Sequence, residues 1–102
     1  MLNKNLMRQA QQLQSRLAKM QEEMDSATVE ASAGGGVVKV VVKGTGRLQS
    51  VKIDPSVVDP QDMSMLEDLV LAAVNDGLQK IQEMTAQRMN QITGGMKLPG
   101  LR

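Results

Sequence analysis

Cysteine, histidine and all three aromatic residue types are missing from this 102-residue chain. Each absence removes a class of chemistry. Without cysteine there is no disulfide framework, no thiolate metal site and no thiol nucleophile. Without histidine the usual general base near neutral pH and the commonest zinc ligand are both gone. Without Phe, Trp or Tyr, the base stacking on which single-strand and RNA-binding modules rely has no platform. No apolar run reaches the length of a membrane span and no signal-peptide core is visible, so the expected location is cytoplasmic. The remaining residues form no nucleophile–base or metal-ligand constellation. The chain therefore reads as a non-enzyme with no cofactor, metal, small-molecule substrate or membrane partner.

What remains is a hydrophobic set of Val, Leu, Ile, Ala and nine Met, 41% of the chain. That suffices for one small globular domain, with Met as an adaptable filler. A domain of this size gains from oligomerising. The net charge of +1 is too small to argue for a polyanion partner, but its distribution is uneven. Residues 1–21 contain Lys4, Arg8, Arg16 and Lys19 and no acid. Residues 88–102 contain Arg88, Lys97 and Arg102 and no acid. The intervening stretch holds five bases against eleven acids. Both ends are basic and the middle is acidic.

The spacing predicts a first helix over Asn3–Asp25, free of Gly and Pro and rich in good helix formers. Its apolar residues Leu6, Ala10, Leu13, Leu17, Met20 and Met24 follow the alternating four-three rhythm of a coiled-coil seam. At about 100° per residue they share an arc of roughly 80°, while Lys4, Arg8, Arg16 and Lys19 fall within about 120° on nearly the opposite side. Three strands follow: Thr28–Ala33, Val37–Lys43 and Leu48–Ile53. The short links Gly34-Gly35-Gly36 and Gly44-Thr45-Gly46 predict an antiparallel meander. On the middle strand Val38, Val40 and Val42 share one face, and Val37, Lys39, Val41 and Lys43 the other. Asp59-Pro60 is expected to open a helical turn and Ser64-x-x-Glu67 to form a capping box. A second helix then runs to about Ile92, with Leu66, Val70, Ala73, Gly77, Ile81 and Met84 as its stripe. The domain is thus expected over residues 1–93, followed by a flexible tail over 94–102.

The two helices would span roughly 35 and 45 Å, against about 20 Å for a six-residue strand. Their ends must project with seam residues still uncovered, and a second copy is the simplest cover. Arg88 lies within the apolar stripe of the second helix, where a buried charge is costly. Either the helix has left the core there, or Arg88 faces a groove that takes an anion. Gly34–Gly36 enters a strand rather than a helix, so it reads as a turn and not a phosphate cradle. Asp54, Asp59 and Asp62 fit caps and turns better than a cation loop.

The segments Met7–Gln14 (MRQAQQLQ), Met20–Met24, Val29–Lys43 (VEASAGGGVVKVVVK), Val51–Pro55, Met65–Val70 with Ala72–Asp76, and Leu98-Pro99-Gly100 together resemble the YbaB/EbfC family of nucleoid-associated proteins. The resemblance spans almost the whole chain. It implies an α+β subunit of order α-β-β-β-α, intertwined into a homodimer whose paired helical arms project like tweezers. It also implies binding to double-stranded DNA, altered DNA conformation and a nucleoid location. One departure is Gly77, where the family more often carries Ala; in an exposed helix interior Gly costs about 1 kcal/mol. The resemblance carries over no DNA-contacting residue; the expected phosphate contacts come from the basic ends and are Lys4, Arg8, Arg16, Lys19, Arg88 and Lys97. A second reading, a prefoldin-like holdase without nucleic acid, rests on the two long helices joined by hairpins, and the asymmetric end charge argues against it.

Overall fold

The computed structural model describes residues 3–93. Segment 94–102, with Lys97 and the expected flexible tail, lies outside them. Helix α1 spans Lys4–Ser26. Asn3 adopts an extended backbone, and its side chain accepts the Asn5 N–H at 2.8 Å. This satisfies one of the donors that a helix start leaves unpaired. Strands β1 (Thr28–Ala33), β2 (Val38–Lys43) and β3 (Leu48–Ile53) form one antiparallel sheet in that order. This is the predicted meander. The first link uses three glycines at positive φ, a region closed to most side chains. Helix α2 spans Met63–Thr93.

The core follows the strand alternation. Val38, Val40 and Val42 are fully buried, and with Ala31, Ala73 and Ile81 they form one cluster between β1, β2 and α2. Gly77 is buried at the closest approach of α2 to the sheet. A Cβ placed there would stand 2.6 Å from Val42 Cγ2 and 3.3 Å from Val40 Cγ2. Gly77 is therefore a packing contact: as its place beside Ala73 on the apolar stripe implies, the small residue lets the sheet approach closely, and the cost of an exposed helix interior does not apply to it. Gly44 has a comparable role just past the end of β2, where a Cβ would overlap the Met24 backbone carbonyl.

The turn expected at Asp59-Pro60 is present, closed by the Asp62 N–H donating to the Asp59 carbonyl at 2.9 Å. The start of α2 itself differs from expectation. Asp62 then caps α2, accepting the Met65 N–H at 3.3 Å and the Ser64 hydroxyl at 3.0 Å. Ser64 lies inside the helix and supports the cap instead of forming it. A short 3-10 turn over Pro55–Val57 precedes this, capped by Asp54.

Two features direct attention away from the core. Helix α2 packs over β1 and β2 and leaves β3 uncovered. The helices also outrun the sheet: the molecule measures 71 × 28 × 18 Å. Beyond Ile81, α2 leaves the strands and meets the C-terminal half of α1, which is anchored by the buried Met24.

Candidate nucleic-acid interface

Along α1, burial declines toward the N-terminus. Met24 is buried and Met20, Leu17 and Leu13 are partly covered, whereas Ala10 is exposed and Leu6 is 55% exposed. The seam of α2 is covered throughout: Ala73, Gly77 and Ile81 are buried, and Leu66, Val70 and Met84 are partly so. Four of the six residues of the first seam and all of the second are thus used within one subunit. The residues from Lys4 to Gln12 form an exposed arm.

Arg88, from the second basic stretch, meets cations of the first at the base of this arm. A cleft between the helices is lined by Arg16, Lys19, Met20, Glu23, Arg88, Gln91 and Ile92. Farther out, Arg8, Gln11, Gln12, Ser15 and Arg16 line a shallow hollow on the exposed side of α1. Lys4 stands in the first turn of the same helix. Arg16 joins the two concavities, so a continuous run of cations and amide side chains follows α1 from its start to the cleft. Such groups suit phosphate oxygens, which accept from Arg, Lys and Gln without sequence preference.

Arg88 has a partner that the sequence reading did not identify. Its guanidinium donates to Glu23 Oε2 at 2.6 Å, with the two side chains about two-fifths exposed. The first alternative raised for Arg88 is seen, since the helix has left the core there, and the charge lines a half-open cleft whose anion within the subunit is the Glu23 carboxylate. The signal was present in the helical wheel. Glu23 projects into the same arc as the four cations of α1, but a count of bases that stops at residue 21 passes over it.

The aspartates act as caps. Asp54 accepts the Ser56 N–H at 2.9 Å and Asp59 accepts the Gln61 N–H at 2.9 Å. The Ser56 backbone N–H, then its hydroxyl, hold the Asp54 carboxyl below the usual carboxylate value. Among the described residues no group of three or more carboxylates is arranged to hold a metal ion, and no helix is long and apolar enough to cross a membrane.

Residues 1–96 match the YbaB/EbfC DNA-binding family. A nucleoid-associated protein of Syntrophobacter fumaroxidans is 58% identical over 98 residues, covering 96% of this chain and 89% of the relative. One from Thermoanaerobacter pseudethanolicus is 55% identical over 97 residues, covering 95% and 87%. Among solved structures, an uncharacterised protein of Helicobacter pylori superposes with a TM-score of 0.65 at 23% identity, covering 76% of this chain and 90% of that one. That likeness shows the shared fold.

Proposed function

The chain belongs to the YbaB/EbfC DNA-binding family, and from this premise we propose that it grips double-stranded DNA as a homodimer within the nucleoid and changes the duplex's path. The observation that carries this reading is the meeting of Arg16 and Lys19 with Arg88 in the cleft at the base of the arm, although Arg16 and Arg88 are 72 positions apart in the sequence. Lys4 and Arg8 extend the positive run outward, and Lys97 follows the same helix end in sequence. With no aromatic side chains to stack on unpaired bases, the arm suits the regular phosphates of a duplex.

The dimer is supported by a second surface. The helix-facing side of β3 presents Leu48, Val51 and Ile53, each at least 39% exposed. Beside it, Leu66, Val70, Leu71 and Val74 of α2 line an apolar groove with Ile53. Soluble monomers seldom leave such a contiguous patch in water. A second copy would cover it with the same patch, as two-fold pairing requires, and would double the number of basic arms.

The test is a mobility-shift titration across salt concentrations, comparing Arg8→Ala and Arg16→Ala with wild type. Each variant should weaken binding to all duplex sequences alike and lower the salt slope by about one per lost phosphate contact. Unchanged affinity and slope would remove these residues from the site.

A further inference from the structure

The sheet has a second face, and the arm's function does not account for it. Opposite α2, strand β2 presents Lys39 and Lys43 and strand β3 presents Lys52, all exposed. Lys39 and Lys52 are direct cross-strand partners. Like charges in that position repel across a short gap. Among the described residues the ion pairs are Lys80–Asp76 and Arg88–Glu23, and neither involves these lysines. Arg47 is exposed in the turn beside Lys43. The acid on this side of the strands is Glu30 of β1, paired with Val41 and diagonal to Lys39 and Lys43. Asp54, just beyond Lys52, is occupied in capping Ser56.

We infer that this lysine face is a second DNA-contacting surface, distinct from the arms, through which a dimer holds a second duplex and bridges two DNA segments. The inference rests on the DNA-binding reading above. The chemistry favours a duplex in three respects. Lysines act as compact point charges that need no shaped acceptor, which suits a polyanion carrying about one charge per 1.7 Å of its axis. The face is an open sheet surface with Val41 as its apolar residue, too little to drive protein docking. It also lies on the opposite side of the sheet from Leu48, Val51 and Ile53, so it stays outward when those residues are covered by a second subunit. A bound phosphate chain would relieve the repulsion that the sheet otherwise tolerates between Lys39 and Lys52.

The experiment compares wild type, the triple variant Lys39→Gln/Lys43→Gln/Lys52→Gln, and Arg8→Ala/Arg16→Ala. Anisotropy of one short labelled duplex reports the arm site. Energy transfer between two differently labelled duplexes reports bridging. Circular dichroism and sedimentation confirm that each variant is folded and assembled as wild type. The sheet variant should keep single-duplex affinity within about threefold and lose at least tenfold in bridging, while the arm variant loses both. Bridging at the wild-type level in the sheet variant, as expected if these lysines met an acidic protein instead, would overturn the proposal. So would equal loss of both signals, which would place the lysines in the arm site. Wild type that binds a duplex but never bridges two refutes this inference alone, whereas wild type that binds no duplex refutes the DNA-binding reading as well.

Discussion

At the residue scale, two contacts join segments that are distant in the sequence. Gly77 lets α2 settle onto Val42 and Val40. Gly77→Ala gains about 1 kcal/mol of helix propensity but forces a methyl against Val42, and overpacking of this kind costs about 1–3 kcal/mol. The net expectation is a loss of about 1 kcal/mol in chemical denaturation. In a Val42→Ala background the same substitution should become favourable, and additivity in that double-mutant cycle would exclude the packing explanation. The second contact is Glu23 with Arg88. The pair is half exposed, so its removal should change stability by less than about 1 kcal/mol. Its effect on DNA should be larger. Glu23→Gln removes the one carboxylate lining the cleft of Arg16, Lys19 and Arg88, so duplex affinity should rise and the salt slope steepen by about one. A titration showing weaker binding would mean that Glu23 orients Arg88 for its phosphate instead of competing with it.

At the element scale, the strands and helices were legible because each has a strict period. Val38, Val40 and Val42 alternate with Lys39, Val41 and Lys43, and that alternation is the burial pattern of β2. What escaped the sequence reading depends on partners brought in by the fold. Strand β3 is an example. Its pairing shifts between Val41 and Val42, which places Leu48 opposite Val42 and turns it to the same side as Val51 and Ile53; simple alternation would put Leu48 with Lys52. Bulges of this kind re-aim side chains and leave little trace in composition. The cap of α2 is another. The Ser64–Glu67 spacing fits a capping box, yet the side chain that reaches the free N–H groups belongs to Asp62. Asp62→Ala should therefore cost about 1 kcal/mol, with Ser64→Ala costing clearly less. Thermal melts of the two variants decide it, and the reverse order would restore Ser64 as the cap.

At the scale of the whole molecule, the site was only half legible. The basic character of both chain ends could be counted, but the meeting of Arg88 with Arg16 and Lys19 depends on the antiparallel packing of α1 and α2, and the uncovered side of β3 depends on where α2 crosses the sheet. If that side is the subunit interface, Val51→Glu should give a folded chain that sediments mostly as a monomer. Duplex affinity should then fall by about a hundredfold or more, because two linked arms act with the effective concentration of a tethered pair. A dimer of wild-type strength in that variant would place the interface elsewhere. The exposed stretch from Lys4 to Gln12 has a further consequence. Those nine residues continue α1 without tertiary cover, so they hold their helix less firmly than the covered turns that follow. If a phosphate chain lies against Lys4 and Arg8 as proposed, binding should favour the wound state. Part of the affinity would then be used to wind backbone, and because helicity falls with temperature the grip should be tighter in the cold.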